Sequence, residues 1–331
     1  ERRREQPAVG ERDVEACEPP LERDAPLHRM AAALDAVRRT RSGSCVAMGG
    51  EAGIGKTALV EHFAHLHNVD VQCLRGGCEA LFAPRALGPL VDVAADLPPA
   101  LGEAIVSARA PHQLFPALLA HFRQTRRTTL LVLEDVHWAD EATLDFIKYL
   151  GRRVHQAPLL LIVTYRDDEL EADHPLRRVL GELPPRSTQW IALPLLSEQA
   201  VAQLAQRAGR NAEGVYRATD GNPFFVTEVL AAPDDLVPSS IRDALLARVA
   251  RLSDGARRVA ELVSLSPAHL ELALVDVVLG SATDAVDEAA AKGLLVVDGC
   301  HIRYRHELAR RAIEQSLCSA RRAQLHAAMF A

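Results

Sequence analysis

Eight consecutive residues carry the most specific chemistry in the chain. Gly50-Glu51-Ala52-Gly53-Ile54-Gly55-Lys56-Thr57 fits the pattern G-x-x-x-x-G-K-[ST]. Glycines in such a loop let successive backbone N–H groups turn inward and wrap an anion. Lys56 would neutralise the β and γ phosphates of a nucleotide, and the Thr57 hydroxyl would ligate Mg2+. A helix opening at Lys56 would bring Ala58 into its first turn and add the partial positive charge of its N-terminus. A second stretch, Leu130–Asp135, is an apolar run ending in two acids. A buried strand there would deliver Glu134 and Asp135 to the metal and to an attacking water. Both remain candidates for both tasks, so the candidate metal ligands are Thr57, Glu134 and Asp135.

These residues need strands and helices to hold them. Ser44–Gly49 is a short, nearly all-apolar run directly before the glycine-rich loop, the pattern of a strand buried on both faces. Lys56–His67 reads as the helix after the loop. Further strands are expected over Val69–Leu74, Thr129–Asp135, Leu159–Thr164 and Gln189–Leu193, separated by helical segments. Buried strands alternating with helices predict an α/β fold, a parallel sheet with helices on both faces. After Pro194 helices dominate, and two short strands at Leu294–Val297 and His301–Arg305 come late. That order predicts a helical lid followed by a winged-helix unit. The expected domains are a disordered leader over 1–20, an ATPase domain over 21–194, a helical lid over 195–235 and a winged helix over 236–331.

Composition narrows the class. With 331 residues, 48% apolar and 25% charged, the chain can build a sizeable core. The longest uncharged run, Ala110–Phe122, holds two prolines and is too short to span a bilayer, so no membrane partner is expected. A net charge of −6 argues against a nucleic-acid surface over the whole chain. Six cysteines without a C-x-x-C pair read as reduced thiols in a cytoplasmic protein. His62, His65 and His67 have no carboxylate or cysteine at metal-ligand spacing, so a metal reading for them is set aside.

Glu134-Asp135-Val136-His137-Trp138-Ala139-Asp140, together with the glycine-rich loop, resembles the STAND class of signal-transducing P-loop ATPases. It is most similar to the nucleotide-binding module of large ATP-binding LuxR-type regulators, relatives of the maltose activator. Those modules read D-D-x-H-W-A-D, so Glu134 departs at the first acid. The resemblance extends from Leu21 to the C-terminus and implies further positions. Leu21-Glu22-Arg23-Asp24 resembles the h-h-G-R-E motif beside the adenine, and only Arg23 carries over, because Glu22 replaces the glycine. Thr164-Tyr165-Arg166 resembles the sensor-arginine motif, which implies that Arg166 reaches the γ-phosphate; an arginine paired with Asp167 or Asp168 is the rival reading. Gly221-Asn222-Pro223-Phe224 resembles the G-x-P motif, which implies that Pro223 packs on the adenine. Tyr304-Arg305-His306-Glu307 resembles the motif whose histidine touches the ADP β-phosphate, which implies that role for His306.

The resemblance implies an ATP- and ADP-controlled switch with ATP/ADP and Mg2+ as cofactors and slow hydrolysis as its reset. It also implies partners outside the chain: an inducer or sensor through missing C-terminal regions, DNA only through a domain absent here, and ATP-dependent self-association. The chain therefore reads as a fragment of a transcriptional regulator. Two rival functions stay open, an AAA-type initiator or loader ATPase acting on DNA and a small-molecule kinase. The loop assignment itself makes a direct prediction. Lys56→Ala should abolish tight binding of a fluorescent ATP analogue while circular dichroism stays unchanged; unchanged affinity would refute it.

Overall fold

The computed structural model describes residues 19–80, 85–107, 111–232 and 238–330. Most of the expected leader, and the expected boundary at 235/236, lie outside the described residues.

The first part alternates helix and strand. Helix α1 (Asp24–Thr40) leads to β1 (Ser44–Gly49), α2 (Lys56–His67) and β2 (Val71–Gly77). Short helices α3 (Gly88–Asp92) and α4 (Pro99–Val106) precede α5 (Pro111–Gln124) and β3 (Thr128–Glu134). Then follow α6 (Glu141–Gly151), β4 (Leu159–Tyr165), α7 (Pro175–Gly181) and β5 (Thr188–Ala192). The strands form one parallel sheet in the order β2-β3-β4-β1-β5. Every residue of β3 is buried, as a strand covered on both faces must be. One face packs Val46, Met48, Val132 and Ile162 against Met30, Leu59 and Phe63 of α1 and α2. The other packs Leu131, Leu133 and Leu161 against α5, α6 and α7. The sheet is the P-loop NTPase-like fold that the alternation predicts.

Most strands shift from their expected spans by one residue at one or both ends, and β2 differs most, starting at Val71 and ending at Gly77. β2 runs on to Gly77 because Gly76 and Gly77 pair with Leu133 and Glu134. Their small size hides the strand in the sequence, and close packing requires it: a Cβ on Gly76 would lie 1.9 Å from the Pro89 carbonyl.

Beyond β5 come α8 (Glu198–Arg207), α9 (Val215–Thr219), α10 (Pro223–Ala231), α11 (Ser239–Ala250) and α12 (Asp254–Ser264). The chain continues through β6 (Leu270–Glu271), α13 (Leu272–Leu279), α14 (Thr283–Ala291), β7 (Leu295–Asp298), β8 (His301–Tyr304), α15 (Glu307–Ser316) and α16 (Ser319–Met329). The expected two-stranded hairpin gains β6, giving an antiparallel sheet β6-β8-β7. Leu270 pairs with Ile302 before the chain turns into α13. A separate core, with Val259, Leu262, Ile302, Leu308 and Ile313 in it, holds α12, α15 and the small sheet together. No helix among the described residues is long and apolar enough to cross a membrane.

The turn before α10 shows how backbone geometry sets the layout. Gly221 has φ +74°, and a Cβ there would lie 2.1 Å from the Leu196 carbonyl. Its own carbonyl accepts from Leu196 N at 2.9 Å, tying the end of the first part to α10. Gly221→Ala must adopt a left-handed backbone and push the segment at Leu196 aside. We expect a loss of at least about 2 kcal/mol in chemical denaturation; an unchanged midpoint would show the turn to be pliable.

Candidate functional site

All the parallel strands end at one edge, and that edge carries the candidate residues. Gly50, Gly53 and Gly55 take φ values of +154°, +78° and +93° between β1 and α2. At Gly53 the need for glycine is also steric, since a Cβ would lie 2.7 Å from Phe224 Cβ and 2.9 Å from Asn222 Oδ1. Lys56 is buried, and its Nζ donates to the carbonyls of Gly50 at 2.6 Å and Glu51 at 2.9 Å. Burial pulls its pKa down, and Asp135 pulls against that.

The two acids separate cleanly. Glu134, the last residue of β3, is buried and accepts from the Thr57 hydroxyl at 2.7 Å. Its other oxygen accepts from Arg75 Nε. A hydroxyl and a carboxylate are the hard oxygen donors that Mg2+ prefers, so the pair fits that ion. Asp135 has left the strand. Its backbone is left-handed at φ +51°, a conformation aspartate tolerates, and its N–H donates to Thr164 Oγ1 at 3.1 Å. Burial raises its pKa, with Arg166 and Lys56 opposing. Asp135 thus stands free of the Thr57 contact and close to both cations.

Arg166 is held at the end of β4. It pairs with Glu169 at 2.5 Å and stacks over Trp138, with its guanidinium carbon 4.5 Å from the ring centroid. The rival partner expected from the sequence was Asp167 or Asp168; Asp168 instead pairs with Arg248 of α11. His137 lies between Asp135 and Glu169, at 3.9 Å and 3.6 Å, without a hydrogen bond to either ring nitrogen among the described residues. Burial pushes its pKa down to about 3, so it is neutral at pH 7.

Arg23 is 2% exposed and bridges three carbonyls, those of Glu22, Ile54 and Pro194. It is an internal strut under the loop. Glu22 sits at φ +55°, which explains why a glycine would suit that position. Its carboxylate accepts from Ser197 N at 2.8 Å, at the start of α8. Pro223 opens α10, while its neighbours grip the loop. Asn222 donates to the Ala52 carbonyl at 3.0 Å, and Phe224 N donates to the Gly53 carbonyl at 3.2 Å. A cavity of about 370 Å3 adjoins the loop, lined by Glu51, Ala52, Gly53, Asn222, Phe224 and His306 among others. Pro223 is not among its lining residues.

His306 reaches the same place from the far end of the chain. It is buried against Phe225, ring centroids 5.0 Å apart, and its Nε2 lies 3.6 Å from Glu51 Oε2. Arg305 pairs with the other oxygen of Glu51. Burial alone would raise the Glu51 pKa; the facing His306 ring and the Arg305 charge outweigh it and hold the carboxyl at about 2. The lowered value means that the contact contributes fully above about pH 4.5, the ordinary value, and is lost as pH falls toward about 2.

Arg75, Glu169, Asn222 and Arg305 were not singled out in the sequence. Arg305 adjoins His306 in a noted motif, and Asn222 adjoins Pro223. Arg75 was signalled only as a charge directly after the expected strand Val69–Leu74, and Glu169 only by its spacing of three from Arg166.

Comparison with known proteins agrees with the geometry. Residues 19–163 match the AAA ATPase domain. An uncharacterized protein of Rhizobium meliloti (strain 1021) is 24% identical over 361 residues, covering 87% of this chain and 34% of that protein. The chain thus spans about a third of the length of that curated relative. The Walker-type ATPase of Pyrococcus abyssi has a TM-score of 0.62 at 11% identity, covering 89% of this chain and 96% of that one. The ORC2 protein of Aeropyrum pernix, in ADPNP-ADP complexes, has a TM-score of 0.61 at 13% identity, covering 95% and 96%. These two likenesses establish the fold, and the chain carries an AAA-type P-loop ATPase domain.

The separation of the acids makes a split prediction. Glu134→Gln should weaken binding of ATP with Mg2+ while sparing ATP in EDTA. Asp135→Asn should leave both intact and slow single-turnover hydrolysis by at least about tenfold. Equal effects from both variants would mean that the two acids share one task.

Proposed function

We propose that the chain is the ATP- and ADP-controlled switch module of a signal-responsive bacterial transcriptional regulator, hydrolysing ATP slowly. The observation that carries this reading is the closure of Arg305 and His306 over Glu51, 254 positions away in the chain. An ATPase evolved for turnover alone has no need of a distant segment clamped on its phosphate loop. The E-D-V-H-W-A-D run supports the same family. In this reading the module divides near 194 and 235, and the unit from α11 to α16 acts as a winged helix. Its three-stranded sheet and packed helices suit that description.

The proposed mechanism follows from the contacts. Lys56 exchanges its loop carbonyls for phosphate oxygens when a nucleotide binds. Thr57 and Glu134 hold Mg2+, which when bound neutralises charge on the phosphoryl group. Asp135 orients the attacking water and accepts its proton. Arg166 leaves Glu169 to meet a γ-phosphate, a charge-assisted contact that ADP cannot offer. Because Glu169 and Asp168 share one loop, that movement bears on the pairing of Asp168 with Arg248 in α11. A ligand shifts such an equilibrium only through unequal contacts with its two states. Signal sensing, DNA binding through partners and ATP-dependent self-association are parts of the same reading.

His306 gives the sharpest test. Its Nδ1 is buried without a partner among the described residues, beside the loop that would hold the diphosphate. His306→Ala should weaken ADP more than ATP, by roughly 1–2 kcal/mol for one hydrogen bond to a charged group. Titrating both nucleotides against both proteins checks this. Parallel losses, or none, would contradict the closure mechanism.

A further inference from the structure

Arg75 is a cation held on Glu134 that the mechanism leaves without a task. It stands on β2, two positions before Gly77, whose register partner is Glu134. Arg75, Gly77 and Glu134 therefore share the sheet face that packs on α2. Nothing would lie within 4 Å of a Cβ on Gly77, so the space there is open. The Arg75 side chain carries its Nε onto Glu134 Oε1 and its Nη1 onto Glu61 Oε1, the latter at 2.7 Å. Glu61 follows Thr57 by one turn of α2, on the same side of the helix. The other oxygen of Glu134 accepts from Thr57 at 2.7 Å. The Glu134 carboxylate is thus shared between the hydroxyl that would ligate a metal and a guanidinium.

We propose that Arg75 is a positioning residue that sets the metal dependence of nucleotide binding: it is shared between Glu134 and Glu61 while Mg2+ is absent and is left to Glu61 alone when Mg2+ takes the Glu134 carboxylate. The inference rests on the switch reading above. A divalent ion bound by Thr57 and Glu134 would face a guanidinium on the same carboxylate. Like charges at that spacing repel, and Mg2+ demands close, well-placed oxygen ligands. Arg75 therefore competes with the metal but not with phosphates held by the loop and Lys56. Glu61, which already accepts from Nη1, keeps the displaced guanidinium partnered. The side chains of Arg75 and Glu61 are 37% and 53% exposed, so the shift happens at a wet surface and costs little desolvation. The outcome is a site that takes a metal-free diphosphate without unpairing Arg75 from Glu134 and requires Mg2+ to displace Arg75 before the triphosphate state is complete.

The test uses the full chain with fluorescent mant-ADP and mant-ATP, titrated in EDTA and across a Mg2+ series. Arg75→Gln should lower the Mg2+ concentration that half-maximally strengthens mant-ATP binding by about fivefold or more, the scale of a single coupling between sites. Its mant-ADP affinity in EDTA should stay at the wild-type value. Glu61→Gln removes the alternative partner and should raise the Mg2+ requirement. That residue is exposed, so this arm stands even if Arg75→Gln does not fold. Thermal melts with ADP, with and without Mg2+, supply a second readout: Mg2+ should add more stabilisation to Arg75→Gln than to wild type. A raised Mg2+ requirement in Arg75→Gln would show that Arg75 braces Glu134 for the metal and would overturn the inference. An unchanged requirement in either variant would also overturn it. Failure of the wild-type chain to bind either nucleotide would overturn the switch reading itself, and this inference with it.

Discussion

One carboxylate joins the two ends of the molecule. Glu51 lies in the phosphate loop, where its charge would oppose any phosphate brought near. Burial there is unfavourable for a lone anion, since an unpaired buried charge costs several kcal/mol. Arg305 and His306 answer that charge from the segment between β8 and α15. The consequence is mutual. Docking of the C-terminal unit neutralises the loop carboxylate, and the loop carboxylate in turn helps to hold that unit. A diphosphate bound in the loop would bring stronger negative charge to Arg305 and to the His306 ring. The contact is therefore placed where nucleotide state and domain position can act on one another.

A second bridge reinforces the first. The loop after β4 holds Arg166 through Glu169, meets α11 through Asp168 and Arg248, and reaches the turn after α14 through Glu171 and Lys292. Arg248 also donates to the Lys292 carbonyl. Gly293, at φ +65°, admits this crowding because a Cβ there would lie 3.0 Å from Arg248 Nη2. Exposed pairs such as Glu171 with Lys292 contribute little each. The Asp168 side chain is only 6% exposed, so its pair with Arg248 is the firmer hold. Arg166, the candidate γ-phosphate contact, and residues that dock the C-terminal unit thus occupy one short loop.

The elements around the site were largely legible because local physics specifies them. Ser44–Gly49 is nearly all apolar and Leu130–Leu133 is a continuous apolar run, and such short runs bounded by turn signals suit strands covered on both faces. Gly50–Thr57 combines glycine freedom with a lysine and a threonine at fixed spacing. Legibility fails where a role depends on distant partners. Nothing local says that Arg23 is a strut under Ile54 and Pro194, or that Glu51 meets Arg305. The end of β2 was hidden because Gly76 and Gly77 are weak strand formers whose pairing is imposed by β3. Strand β6 was hidden because two residues carry no periodicity. The assignment of Glu134 to the Thr57 contact needed the direction of the side chain as β3 ends, which an adjacent pair of acids does not reveal.

The central claim is that nucleotide identity is read by the closure of the C-terminal unit over the phosphate loop. Hydrogen–deuterium exchange of the full chain with ADP, and with a non-hydrolysable ATP analogue and Mg2+, tests it most directly. The account predicts that the loop and the start of α2 stay protected with either nucleotide, while residues 301–316 exchange faster with the triphosphate. Equal protection of 301–316 under both nucleotides, with both shown to be bound, would contradict it.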